Sequence, residues 1–95
     1  MKHTLAETVE FMNSTDYKER FIAEYYQTKI RYEKLRKLLT TNHAKQFSEE
    51  IKEAEPIDLG CPLTLLDHQL NVMNELLKVY EVRAKIEHID LEQYE

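Results

Sequence analysis

The side chains best suited to chemistry in this chain are guanidinium, phenol and carboxylate groups set at helical spacing. Arg20, Glu24, Gln27 and Arg31 follow a 4, 3, 4 pattern, which on an α-helix lays them along one edge. Gln69 and Arg83 occupy the matching flank of a second apolar-periodic segment. If the two segments pair in opposite directions, Glu24 falls near Tyr80 and Arg83. Tyr17, Arg20, Glu24, Tyr25 and Arg83 then gather around a small cleft. Guanidinium groups hold phosphate through paired N–H donors and tyrosine rings stack on a base, so these five residues form the candidate ligand-binding site. The plainer reading is a Glu24 to Arg83 ion pair that fixes helix register, contributing about 1 kcal/mol if partly exposed.

Other reactive groups are isolated. His3, His43, His68 and His88 are scattered without an HxxxH or HExxH pair, and a structural zinc site needs about four convergent ligands, so no metal is expected. A single glycine leaves no glycine-rich phosphate loop and excludes nucleotide hydrolases of the P-loop type. Cys61 precedes Pro62 at a helix start, where the helix dipole can lower a thiol pKa, but no histidine or carboxylate pattern completes a nucleophilic set. The carboxylate pairs Glu49 with Glu50 and Glu53 with Glu55 fall in an acidic, polar stretch, which solvation explains better than acid/base work. The basic run Lys29, Arg31, Lys34, Arg36 and Lys37 lies toward the C-terminal end of a helix, where cations complement the dipole. The expectation is a non-enzymatic protein with no catalytic residue and no cofactor.

Long helices must position these groups. With one Gly and two Pro the chain lacks the punctuation of many short strands. Thr4 and Glu7 have the spacing of a capping box, and Leu5, Val9 and Met12 follow on one side, predicting a short helix over 4–13. Asp16 caps a long helix over 16–41, whose stripe is Phe21, Tyr25, Thr28, Tyr32, Leu35 and Leu39, flanked by Ile22, Tyr26 and Ile30. TTNH at 40–43 lowers helix propensity. Ala44, Phe47, Ile51 and Ala54 then suggest a short helix over 43–54. Gly60 and Pro62 mark the start of a second long helix over 62–89, with Leu66, Leu70, Met73, Leu77, Tyr80 and Ala84 as its stripe.

The two stripes share period and length, predicting an all-α fold. Its form is an antiparallel hairpin of two long helices in one domain over 1–95, with Leu39 near Leu66, Leu35 near Leu70 and Phe21 near Ala84. Helices of about 25 residues are about 37 Å long. A lone pair of that length leaves apolar flanks exposed, so a homo-oligomeric bundle is expected.

The net charge of −5 conceals an asymmetry: residues 1–40 carry eight Lys/Arg against six Asp/Glu, and residues 41–95 carry five against twelve. An acidic chain is a poor binder of duplex nucleic acid, which demands many neutralised phosphates. No apolar run reaches the roughly 20 residues of a membrane span, no signal peptide is legible in MKHTLAETVEF, and one cysteine suits a reducing cytoplasm.

Two segments, DYKERFIAEYYQTKIRYEKL (Asp16 to Leu35) and CPLTLLDHQLNVMNELLKVYEVRAKIEHIDL (Cys61 to Leu91), resemble a family of small helical proteins carried by phages and prophages of gut bacteria, typified by a crAss-like phage protein. The stretch NHAKQFSEEIKEAEPIDLG is longer than that family's connector, and LAETVEFM lies outside the resemblance. His88 stands where the family has a glycine, which implies that the last helix runs on. In size and hairpin form the family is similar to viral sponge proteins, which sequester cyclic-nucleotide or ADP-ribose-type immune signals between subunits. That similarity implies a counter-defence protein acting in the cytoplasm of a bacterial host. Its partner would be such a ligand or, alternatively, a host defence protein gripped through the exposed Ile22/Tyr26/Ile30 flank.

Overall fold

The computed structural model describes residues 4–47 and 60–94, and all regular structure among them is helical. In chain order these are α1 (Leu5–Met12), α2 (Tyr17–Phe47), α3 (Leu63–Ile86) and a single 3-10 turn, Leu91–Tyr94.

Helix α1 begins with a reciprocal cap. The Thr4 hydroxyl accepts from the Glu7 backbone N–H at 3.2 Å while the Thr4 N–H donates to the Glu7 carboxylate at 3.4 Å. Its buried face differs from the expected one. Thr8 is the buried residue, whereas Val9 and Met12 are exposed. The Thr8 hydroxyl donates to the Leu5 carbonyl at 2.7 Å and accepts from the Gln27 amide at 3.0 Å, so its burial leaves no polar atom wanting. One turn before Gln27, Ala23 is fully buried, a small residue that lets two helices approach closely.

Helix α2 opens on Asp16, whose carboxylate accepts from the Lys18 N–H at 2.9 Å. It then runs unbroken through 40–43 to Phe47, so the predicted break at TTNH is absent. The Thr41 hydroxyl bonds back to the Lys37 carbonyl at 3.0 Å, and Asn42 is buried; both residues are accommodated within the helix. The start of the predicted 43–54 helix is therefore the end of α2, and the rest of it lies outside the described residues.

Gly60 takes φ +66° and Pro62 is extended. Pro62 is the cap residue before α3 and not its first helical position; its carbonyl accepts from the N–H groups of Leu65 and Leu66 at 3.1 and 3.2 Å. The other end also departs from expectation, because α3 stops at Ile86 instead of running on through His88. His88 adopts φ 58°, a left-handed conformation that reverses the chain. The Ile89 N–H then reaches back to the Ala84 carbonyl at 2.8 Å, with Ile89 and Ala84 both buried. A histidine thus fills the usual glycine position of a helix-terminating motif.

Helices α2 and α3 contact each other in opposite order along the chain. Tyr17 meets Glu87, Phe21 packs edge-on to Tyr80 with ring centroids 5.6 Å apart, and His43 faces Asp67 at 3.2 Å. Phe21, Ile22, Tyr25 and Tyr26 from α2 form the core with Leu77 and Ala84 from α3 and with Ile89. Tyr32, Tyr80 and Leu91 pack against that cluster. The flank proposed as a docking face is therefore largely internal: Ile22 is 3 % and Tyr26 5 % exposed. The molecule is elongated at 50 × 24 × 23 Å, with a radius of gyration of 16.5 Å against about 12 Å for a compact chain of this length.

Candidate ligand-binding cleft

Tyr17, Arg20 and Glu24 recur at spacings of 3 and 4, so α2 presents them on one face. Together with Met12, Phe21 and Arg83 they line a cleft of about 210 Å³ at the end of the α2/α3 pair. Four of the five predicted site residues are thus brought together. The fifth, Tyr25, is one residue, or about 100°, further round the helix than Glu24. It lines a different cleft.

Arg83 is the more extensively bonded of the two cations in the cleft. Its Nε donates to Glu87 at 3.1 Å, its Nη2 donates to the Tyr17 hydroxyl at 2.7 Å, and its guanidinium lies 4.9 Å from the centre of the Phe21 ring. The Tyr17 hydroxyl in turn donates to the other Glu87 oxygen at 2.9 Å, closing a three-membered ring of hydrogen bonds. The predicted Glu24 to Arg83 ion pair is replaced by this Glu87 pair: Glu87 lies one turn beyond Arg83 on the same helix, so it reaches the guanidinium without bridging two helices. Two bonds to protein leave three of the five guanidinium N–H groups for a ligand. Arg20 donates to the Ser14 carbonyl at 2.9 Å, which anchors a second cation on the cleft wall.

These contacts shift proton affinities in consistent directions. The bond to the Glu87 carboxylate, helped by desolvation, raises the Tyr17 pKa above the ordinary phenol value, with Arg83 opposing. Desolvation raises Tyr80, with the Glu24 charge adding and Arg83 again opposing. The Glu87 bond raises Arg83 further. Both phenols therefore stay protonated and Arg83 charged at neutral pH, a state suited to holding an anion.

The second cleft, about 560 Å³, was not legible from spacing. Tyr25, Tyr26, Lys29, Glu81 and Lys85 form its walls, and the reversed chain at Ile89 to Glu92 closes one side. The Tyr25 hydroxyl donates to Glu81 at 2.8 Å and the Tyr26 hydroxyl to the Leu91 carbonyl at 2.6 Å. The Lys29 ammonium sits 5.9 Å from both ring centres. Three carboxylates, Glu81, Asp90 and Glu92, face two lysines here, a balance that disfavours a multiply charged anion. The smaller cleft has Arg20 and Arg83 against Glu24 in its lining and Glu87 bonded to Arg83 beside it, a balanced charge that is the better of the two for an anion. Of the basic run, Lys34 and Lys37 border a shallow apolar depression with Leu38 and Thr41. Among the described residues no cluster of histidine, cysteine and carboxylate groups could hold a metal ion, and no helix is long and apolar enough to cross a membrane.

No curated protein and no solved structure matches the chain. Residues 15–86 match the family model described as Sequestin, a span that holds both long helices and every one of the candidate residues. The family name denotes a sequestering kind of protein, and by a match over most of its length this chain belongs to the Sequestin family.

Proposed function

We propose that this is a non-enzymatic phage or prophage counter-defence protein that binds and sequesters a small phosphorylated immune signal of cyclic-nucleotide or ADP-ribose type in the bacterial cytoplasm. The reading rests on Arg83, held in place by Glu87, Tyr17 and Phe21 while keeping three N–H groups available. A guanidinium fixed before the ligand arrives loses little freedom on binding. Arg20 supplies a second donor group on the same wall, and the rings of Tyr17 and Phe21 supply apolar surface beside it.

At about 210 Å³ the cleft is smaller than the roughly 300 Å³ at which small-molecule pockets begin. It suits one phosphate and part of a nucleoside, with the remainder covered by another subunit of a homo-oligomer. The alternative, an inhibitor docking on a host defence protein through an exposed helical face, loses the flank assigned to it, since Ile22 and Tyr26 are buried.

Isothermal titration against cyclic di- and trinucleotides and cyclic ADP-ribose isomers tests the proposal. At least one ligand should bind stoichiometrically and be recovered intact after denaturation. Arg83→Gln should weaken it by about 10- to 100-fold, the loss of one charge-assisted bidentate contact. Silence from the whole panel would sink the reading, and recovery of a cleaved ligand would make the protein an enzyme.

A further inference from the structure

Glu24 is a carboxylate in a cleft otherwise suited to phosphate. It lines that cleft together with Arg20 and Arg83, yet both arginines bond elsewhere. Arg83 gives its Nε to Glu87 at 3.1 Å and its Nη2 to the Tyr17 hydroxyl at 2.7 Å. Arg20, one turn before Glu24 on α2, gives its Nη1 to the Ser14 carbonyl at 2.9 Å. Among the described residues Glu24 has neither a hydrogen bond nor an ion pair.

A carboxylate left in this position repels a bound phosphate. It also offers two oxygens that only accept hydrogen bonds. A ligand that brings phosphate to the arginines and two adjacent hydroxyls to Glu24 turns the repulsion into a contact. We infer that Glu24 selects for a free vicinal diol on the sugar that carries the bound phosphate, so that the cleft favours the ADP-ribose type of ligand over the cyclic-nucleotide type. This rests on the sequestration reading and narrows it.

The dimensions agree. Arg20 and Glu24 stand about 6 Å apart along the axis of α2. In a ribose 5-phosphate unit three carbons separate the phosphate ester oxygen from the nearer hydroxyl of the 2′,3′ pair, a comparable span. At about 210 Å³ the cleft has room for that unit, and a base joined to it lies at the rim, against the exposed Tyr17 and Met12. The phosphate and its own sugar are therefore what the cleft can read. An acidic side chain accepting from ribose hydroxyls is also how dinucleotide-binding folds recognise the sugar. In a 3′,5′-cyclic dinucleotide the 3′ oxygen belongs to a phosphodiester, which leaves Glu24 one hydroxyl and sets a second phosphate charge near it. ADP-ribose, linear or cyclised, keeps at least one ribose with both hydroxyls free.

ADP and 2′,3′-dideoxy-ADP make a matched pair of probes, with the same phosphates and base and differing only in the diol. Titrated into the full wild-type chain, ADP should bind about 10-fold more tightly than its dideoxy analogue, the effect of charge-assisted bonds to a carboxylate. Glu24→Gln should reduce that preference to about 2-fold or less and should bind dideoxy-ADP more tightly than wild type does, because the repulsion is gone. Glu24 is exposed and Gln matches Glu in helix propensity, so circular dichroism should not change. Opposite signs for the two probes separate a ligand contact from general damage to the cleft, which would weaken both. Equal binding of the two probes by wild type, an equal loss of both in Glu24→Gln, or no binding of ADP up to millimolar concentration would each overturn the inference. A diol preference that depends on Glu24, in a chain that rejects every cyclic nucleotide and cyclic ADP-ribose isomer, would keep the inference and remove the proposed function. An immune signal bound intact and indifferent to Glu24→Gln would do the reverse.

Discussion

The two ends of the α2/α3 pair are held together by different physics. At the end near Tyr17, aromatic edges interlock and tyrosine hydroxyls reach across: Phe21 meets Tyr80, Tyr25 bonds Glu81, and Tyr26 bonds the Leu91 carbonyl. At the end near Phe47, Leu39 is buried, Leu35, Leu38 and Leu70 are half-buried, and the polar link across is a partly exposed pair, His43 and Asp67. Asn42 is buried there with its side-chain amide nitrogen unbonded. The candidate cleft sits at the well-clamped end. A binding group must be held to a fraction of an ångström, and the aromatic end supplies that rigidity.

Substitutions can break this contrast, beginning with the strongest. Phe21→Ala should cost about 3 to 5 kcal/mol in denaturant unfolding, since the ring is buried, touches Tyr80 and Tyr17, and supports the Arg83 guanidinium; a loss under 1 kcal/mol would mean that the aromatic cluster is not the core. Tyr26→Phe removes the bond to Leu91 and leaves a part-buried carbonyl wanting, so a loss of about 1 to 2 kcal/mol is expected, with faster hydrogen exchange in 89–92. At the opposite end the sign should reverse: Asn42→Leu relieves an unbonded buried amide and should stabilise by up to about 1 kcal/mol. His43→Ala breaks an exposed pair and should change stability by less than about 0.5 kcal/mol. Were His43→Ala to rival Phe21→Ala, the two ends would have to be regarded as equals.

High pH sharpens the contrast in a separate way. The raised pKa values of Tyr17 and Tyr80 mean that folding favours the neutral phenols. Their contribution is complete below the unfolded tyrosine value near 10 and disappears as pH climbs through the higher folded values. Tyrosinate absorbance should therefore rise later in the folded chain than in urea.

Periodic features were the legible ones. The Thr4/Glu7 cap, the Asp16 start and the facing stripes of α2 and α3 depend on residue type at fixed spacing, and helix geometry converts spacing to position. Tyr17, Arg20 and Glu24 were placed together for that reason. Tyr25, expected beside them as a ring to stack a base, lies one residue and so about 100° further round the helix than Glu24, and it faces Glu81 and Lys29 instead. The burial of Thr8 is not legible in spacing because it depends on Gln27 answering a hydroxyl from another helix. TTNH read as a break because propensity is a weak prior, and tertiary contacts at Asn42 and His43 override it. The reversal at His88 has no signal in the sequence because a left-handed residue is usually glycine, and the packing of Ile89 and Leu91 against the core cluster has no periodic signature.

The bond from Tyr26 to Leu91 spans 65 residues, and that separation has a kinetic consequence. Most helical proteins fold quickly because their contacts are local, but here α2 emerges from the ribosome long before the chain that must cover its aromatic face has been made. Until residues 77–91 are synthesised, Phe21, Ile22, Tyr25 and Tyr26 lack their α3 and C-terminal partners. Released chains truncated just short of Ala84 should accordingly be far more protease-sensitive than chains that extend past Leu91.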